Sequence, residues 1–281
     1  MSVVWVNGTL TDKADAKVGL FDHGLLYGDG VWEPLRVFGG RLFRGDDHVR
    51  ELFRAARLVG IDIPHTPAEL LAAVGATVAA NQRVEGYCRV IVTRGAGTIG
   101  PDPRKLDPQV YITAEEYYPF PVELNAHGLH VVTSPYRVDR ENPFCRVRAL
   151  GRPDVAQAKR HALHHGCLDA ILTDLTGQVI GTTEGGLFGV RGGKVAFLPA
   201  GHSPETAAVQ DLLRGKYAEW PSDGATPDDL ARADEVLLVG TSCGVIGVVR
   251  IDGRDVGTGT EGPVTRAIRE EYRRLTRGGV E

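Results

Sequence analysis

Arginine supplies most of the positive charge here: of 32 basic side chains only six are lysines, Lys13, Lys17, Lys105, Lys159, Lys194 and Lys216. Primary amines are therefore scarce and their positions are easy to audit. Arg146, Arg148 and Arg152 fall close together, with Arg89 upstream. Guanidinium groups are planar forks that match carboxylates and phosphates, so such a set suits an anionic small molecule. His161, His164 and His165 fall on one stretch of helical pattern, and the i, i+4 pair His161/His165 presents two imidazoles. No carboxylate pattern such as HExxH accompanies them, so they read as a helix surface and no metal is assigned. Cys88, Cys145, Cys167 and Cys243 are widely spaced with no CxxC pair, which gives neither a disulfide framework nor a zinc site. The run GAGTIG at 95–100 lacks the strand and helix that a dinucleotide site requires.

These residues must be positioned by an α/β (α+β) chain. VVWVNGTL and VWEPLRVFGGRLFR alternate as strands, the second pair turning at Gly39-Gly40. Asp46 or Asp47 is expected to cap a helix with Val49, Leu52, Phe53, Ala56 and Leu58 as its apolar face and Gly60 as its end. Thr66-Pro67 opens a second helix, and YCRVIVTRGAG and PQVYITAEEY read as further strands. Residues 119–127, holding Pro119 and Pro121, read as a linker between an N-terminal lobe at 1–118 and a C-terminal lobe at 128–281. The second lobe is expected to contain strands at LHVVTSP, DAILTD, GLFGVRGGKVAFLP and ADEVLLVGTS, with helices near DVAQAKRHALHHG, after Pro204 and at PVTRAIREEYRRL.

Three separated blocks then resemble one family. DHGLLYGDGVWEPLRVFGGRLFRGDDHVREL (22–52), AKRHALHHGCLDAILTD (158–174) and ADEVLLVGTSCGVIGVVRIDGRDVGTGTEGPVTRAI (233–268) are similar, in order, to the class IV aminotransferases. That family of fold-type IV pyridoxal-phosphate enzymes includes branched-chain and D-amino acid aminotransferases and aminodeoxychorismate lyase. The resemblance implies a two-lobed D-amino acid aminotransferase-like fold with a ligand cleft between the lobes. It implies that Arg50, in the H-x-x-R-L helix, together with Thr241 and Ser242 of the Gly-Thr-Ser turn and His202 and Ser203 before Pro204, holds a cofactor phosphate. Tyr27 would face the cofactor, and Tyr87-Cys88-Arg89 resembles the Y-x-R that engages a substrate carboxylate; both sites also read as ordinary strand residues with satisfied polar tips.

Two positions depart from the family. Its aldimine-forming lysine lies 11 or 12 residues before the lysine of an A-K helix, and counting back from Lys159 reaches Arg148 or, with a one-residue shift, Val147. No lysine lies between Lys105 and Lys159. Arginine offers no free amine, so ordinary transamination is expected to be absent or very slow, and Arg148 is expected to point into the cleft as the family lysine does. The acid that pairs with the pyridine nitrogen is replaced by Gly181 in an ungapped match, or supplied by Glu184 if three residues shift; both alignments stay open.

Three functions are compatible with these residues: an enzyme binding pyridoxal 5′-phosphate or a related anion non-covalently, a cofactor-free lyase or transferase on a chorismate-like or dicarboxylic substrate, and a non-catalytic pseudoenzyme. A formal net charge of −4 with both signs mixed along the chain gives no footprint for nucleic acid or an anionic membrane. No apolar run reaches membrane-spanning length and MSVVWVNGTL lacks a basic n-region followed by an apolar one, so a cytoplasmic location is expected. A homodimer is implied by the resemblance, with Trp5 and Trp32 on apolar strands as surface to bury.

Overall fold

The computed structural model describes residues 2–104, 107–118, 120–121, 123–198, 203–219 and 224–278. The chain divides into two compact units: Met1–Tyr117 with Asn142–Arg152, and Tyr118–Glu141 with Pro153–Glu281. Residues 142–152, which the sequence reading placed in the second lobe, thus count with the first unit. Among the described residues no helix is long and apolar enough to cross a membrane.

The first unit is a six-stranded antiparallel sheet of β1 (Val3–Val6), β2 (Thr9–Asp12), β3 (Gly30–Phe38), β4 (Arg41–Leu42), β5 (Gly86–Thr93) and β6 (Gln109–Glu115), in the order β2-β1-β6-β5-β3-β4. The hairpin at Gly39-Gly40 forms as expected, because both glycines take positive φ (56° and 76°) and so match the right-handed twist of the flanking strands. Helices α1 (His23–Tyr27), α2 (Gly45–Leu58) and α3 (Pro67–Ala80) complete the unit. Thr66 caps α3 in a reciprocal capping box with Glu69. The cap of α2 differs from expectation: Arg44, in a left-handed conformation, stands at the N-cap and no side chain caps the helix. Asp46 and Asp47 lie inside the first turn, where their charge favours the positive helix end without a cap bond. Leu52, Ala55 and Ala56 of α2 and Leu70, Val74 and Val78 of α3 bury against Val31, Leu35, Val90, Val92, Val110 and Ile112. Each such large side chain contributes about 1.5–3 kcal/mol by leaving water. Trp5 also lies in this core, edge-on to His65 at 5.2 Å, so it is not surface left for a partner.

Residues 147–150 extend this sheet. Trp32 N–H donates to the Arg148 carbonyl (2.9 Å) and Leu150 N–H to the Gly30 carbonyl (3.0 Å), while Val147 and Ala149 enter the first unit's core. Period-two burial of an apolar pair on the open end of β3 accounts for the attachment. Gly28 permits it: with φ +65°, a Cβ there would lie 2.4 Å from Gly151 Cα.

The second unit holds β7 (Leu129–Val138), β8 (Asp169–Asp174), β9 (Val179–Thr182), β10 (Gly186–Arg191), β11 (Lys194–Phe197), β12 (Ala218–Glu219), β13 (Glu235–Gly240), β14 (Gly244–Ile251) and β15 (Arg254–Asp255). They form one mixed sheet in the order β12-β11-β10-β13-β14-β7-β8-β9, with β15 paired to β14. Strands β7 and β8 are parallel, a pairing that demands a crossover. The helix of that crossover, Pro153–His164, packs Ala158 and Ala162 on Ala170 and Leu172 of β8. With α4 at Leu124–His127 this helix is α5, and α6 (Pro204–Arg214), α7 (Pro227–Ala231) and α8 (Pro263–Gly278) follow. The architecture is therefore the mixed α/β one read from the sequence.

Candidate functional site

In the first unit the chemistry gathers around Glu33. This carboxylate sits on β3 among core-facing residues and is 2% exposed. His48 Nδ1, on α2 and fully buried, donates to Oε1 at 2.8 Å, and Arg148 Nη1 donates to Oε2 at 2.8 Å and to Oε1 at 3.1 Å. A charge on the helix-covered face of a strand persists only with such partners. The Arg148 guanidinium also lies 5.8 Å from the Trp32 ring, and that of Arg89 stacks over the same indole at 4.2 Å. Two guanidinium groups therefore share one aromatic side chain. Glu33 and His48 were not singled out from the sequence. The available signal was an acid at a core-facing step of the alternating segment VWEPLRV.

The other first-unit candidates separate into those that join this cluster and those that do not. Arg89 Nη2 lies 3.5 Å from the Tyr87 hydroxyl, while its Nε is buried without a hydrogen-bond partner. Tyr87 is buried and packs on Tyr117 at 5.1 Å. Tyr27, at the end of α1, is 44% exposed; its hydroxyl donates to the Ile99 carbonyl and its ring meets His23 edge-on at 5.1 Å. Arg50 stands apart, as a correction to its assignment: its side chain is 71% exposed and donates to Asp47. Counted from His48, the H-x-x-R-L pattern puts Glu51 at the arginine step and Arg50 about 100° around the helix from it. Glu51 forms a two-bond pair with Arg54 (2.8 and 2.6 Å), which raises the Arg54 pKa. Val147, the alternative to Arg148 in the lysine count, is a core residue.

In the second unit the cluster is built on three loops and α5. Lys159 Nζ donates to Glu184 Oε1 at 3.0 Å, and Ser242 Oγ donates to Oε2 at 3.0 Å. Thr241 donates to Glu205, a fully buried carboxylate in the first turn of α6, at 2.7 Å. Ser203 caps α6 by accepting from Thr206 N–H at 3.0 Å. His202 lies outside the described residues. Gly181 adopts φ +129°, and a Cβ there would approach the Gly185 carbonyl oxygen at 2.9 Å, so a larger acid at 181 would strain this turn.

Asp169, the first residue of β8, feels the charges of Lys159 and Glu184 and was not foreseen. Its Oδ1 accepts from Ala170 N–H (2.8 Å), Thr183 N–H (3.1 Å) and the Thr183 hydroxyl, whereas Oδ2 is buried without a hydrogen-bond partner. Burial pushes its pKa up to about 6, against the lowering effects of Thr183, the Lys159 charge and Thr182; the Glu184 charge adds to the rise. Burial likewise drives the neighbouring Cys243 thiol well above its ordinary value, with Glu184 and Asp169 contributing. Cys243 is thus a protonated, unreactive thiol.

The residues present do not fit a pyridoxal phosphate carried covalently at residue 148. That position offers a guanidinium engaged by Glu33, and Arg50 extends into solvent, paired with Asp47. The hydroxyls of Thr241 and Ser242 both serve carboxylates of the chain itself.

A mixed α/β fold with these strand and helix blocks defines a class, and comparison with known proteins agrees. The Amino-transferase class IV family profile matches residues 30–251, and the chain belongs to that family. It is 33% identical over 287 residues to a Methanocaldococcus jannaschii protein described as "Putative branched-chain-amino-acid aminotransferase", covering 99% of this chain and 98% of that one. It is 31% identical over 283 residues to the D-alanine aminotransferase of Bacillus licheniformis, with 94% of each covered. Among solved structures, a T.th. branched-chain amino acid aminotransferase with pyridoxamine 5′-phosphate superposes with a TM-score of 0.93 at 28% identity, covering 99% of this chain and 94% of that one. The chain is thus a homologue, over nearly its whole length, of proteins named as branched-chain and D-alanine aminotransferases.

Proposed function

We propose that this class IV member is an enzyme acting on small carboxylate-bearing amino or 2-oxo acids, and that residue 148 holds its ligand by ion pairing instead of a covalent bond. The relatives' names supply the substrate class, because they are branched-chain and D-alanine aminotransferases. The observation that carries the departure is the Glu33–Arg148 pair: the residue at the family's lysine step is a guanidinium clamped to a buried acid. Arg89, stacked on Trp32 with a buried, unpartnered Nε, supports a carboxylate-binding role on the same unit. Pyridoxal phosphate, if it is the anion taken up, brings an electron sink for carbanion chemistry, and its binding here rests on hydrogen bonds and ion pairs.

The test is calorimetric titration of the purified chain with pyridoxal phosphate and with 2-oxoglutarate. Arg148→Ala should weaken binding by about 1.5–3 kcal/mol, the scale of a hydrogen bond to a charged group. Unchanged affinity for both anions would remove Arg148 from the site. The same reading includes a cytoplasmic homodimer, supported by the exposed apolar residues Leu20, Phe21, Leu25 and Ile99 of the first unit. A particle of 30.3 kDa in light scattering at micromolar concentration would contradict it.

A further inference from the structure

A pyridoxal phosphate presents three polar ends to a protein: an aldehyde, a phosphate dianion and a ring nitrogen. In the first unit the residue at the aldehyde step is Arg148, whose Nη1 meets both oxygens of Glu33 at 2.8 and 3.1 Å. The arginine step of H-x-x-R-L, counted from His48, carries Glu51, so the charge offered to a phosphate there is reversed. Glu51 is well covered, with its side chain 16% exposed, and it holds the nearest cation to itself: Arg54 Nε and Nη2 donate to its two oxygens at 2.8 and 2.6 Å. Arg54 Nη2 also reaches the Arg146 carbonyl at 3.4 Å. Two carboxylates of the chain, Glu33 and Glu51, thereby engage guanidinium groups that a dianion would need.

The second unit repeats the pattern with other partners. The Thr241 hydroxyl donates to Glu205, fully buried in the first turn of α6, so a carboxylate of the chain already lies at that positive helix end. Ser242 donates to one oxygen of Glu184 and Lys159 to the other, which engages this acid on both sides and keeps the lysine in an ion pair. Gly181, the alternative at the ring-nitrogen step, has no side chain to offer, and its φ of +129° strains any replacement.

We infer that this chain has given up pyridoxal phosphate and takes an unphosphorylated carboxylate directly, with Glu51 as the residue that turns a phosphate away. This rests on the proposed function for the substrate class and narrows it: the ligand is the amino or 2-oxo acid itself. Charge density is the physical reason. A carboxylate monoanion needs one guanidinium fork, such as that of Arg89, stacked on Trp32 with its buried Nε without an acceptor. A phosphate dianion needs several donors not already committed to acids, and at the family's phosphate step it meets a like charge under partial cover, where repulsion is strong. Positions 51, 148 and 181 lie far apart in sequence and fall in both units, and each departure removes the group that one end of the cofactor requires.

Calorimetric titration of the full chain with pyridoxamine 5′-phosphate tests this, because that probe keeps the ring and phosphate but has no aldehyde to label surface lysines. 2-Oxoglutarate is titrated in parallel. The expected result is no saturable binding of pyridoxamine phosphate tighter than about 1 mM, measurable binding of 2-oxoglutarate, and a gain of at least about tenfold in pyridoxamine phosphate affinity in Glu51→Arg with 2-oxoglutarate unchanged. Glu51→Gln, which removes the charge and releases Arg54 at nearly the same size, should move the same way by a smaller factor and serves where Glu51→Arg does not fold. Saturable binding of pyridoxamine phosphate to the wild-type chain, one per chain and tighter than about 1 mM, overturns the inference and leaves the proposed function standing if Arg148→Ala weakens it. Equal pyridoxamine phosphate behaviour in wild type and both Glu51 variants removes the role given to Glu51. Absence of 2-oxoglutarate binding overturns the direct carboxylate site together with the proposed function.

Discussion

Glu33 and Asp169 are both buried carboxylates on sheet strands, and they are treated in opposite ways. Glu33 is met by two cationic or proton-donating side chains, His48 and Arg148, from two other segments of the first unit. Asp169 has one oxygen saturated by Ala170 and Thr183 while the other is buried without a hydrogen bond, and burial pushes its pKa up to about 6. Burial alone destabilises the charged form; a counter-charge in direct contact offsets that cost. The first unit therefore holds a fixed ion network, whereas the second holds a carboxyl able to exchange a proton near neutral pH.

The largest effect should come from breaking the fixed network. Glu33→Ala leaves Arg148 and His48 without their acid, and urea unfolding should show a loss of about 3–5 kcal/mol, the cost of orphaning one member of a buried pair. A loss under about 1 kcal/mol would mean the two carboxylates differ less than their contacts indicate.

Asp169 sharpens the contrast through pH. Its folded-state pKa of about 6 lies above the ordinary 3.8, so the folded chain retains a proton that the unfolded chain releases. This group's favourable contribution is therefore full below about pH 4 and is lost as pH rises through 6, an expected fall of about 3 kcal/mol. Asp169→Asn should remove that slope from unfolding free energies measured between those limits. A wild-type curve flat over the same range would contradict the assignment.

A smaller change is expected from Arg148→Lys, which keeps the charge beside Glu33 but gives up the planar fork. About 1.5 kcal/mol of stability should go, measured by the same urea titration. Wild-type stability in that variant would show that Glu33 needs only a point charge. Arg50→Ala is the control outside both clusters. With its side chain largely in solvent and paired only to Asp47, it should change stability by less than about 0.5 kcal/mol and leave anion affinity intact. A marked loss of pyridoxal phosphate binding in this variant would return Arg50 to the site.

Much of this protein was legible without coordinates because it depends on local grammar. The Gly39-Gly40 turn, the Thr66-Pro67 helix start and the alternating strands each follow from backbone preference and side-chain period, which neighbouring residues specify among themselves. Family membership was likewise carried by three linear blocks. The absence of lysine between 105 and 159 is a property of the sequence alone. Tertiary structure decided the rest. Counting H-x-x-R-L from His48 reaches Glu51 in the sequence itself; what the structure adds is that Arg50, about 100° around the helix from it, lies in solvent against Asp47. That residues 147–150 join the first sheet depends on an open end of β3 more than a hundred positions upstream in sequence. The pairing of Glu33 with Arg148, and of Lys159 with Glu184, joins residues 115 and 25 positions apart. Charges so far apart in sequence acquire a definite partner only when the folded backbone fixes their distance, because Coulomb energy in water is too weak to select one.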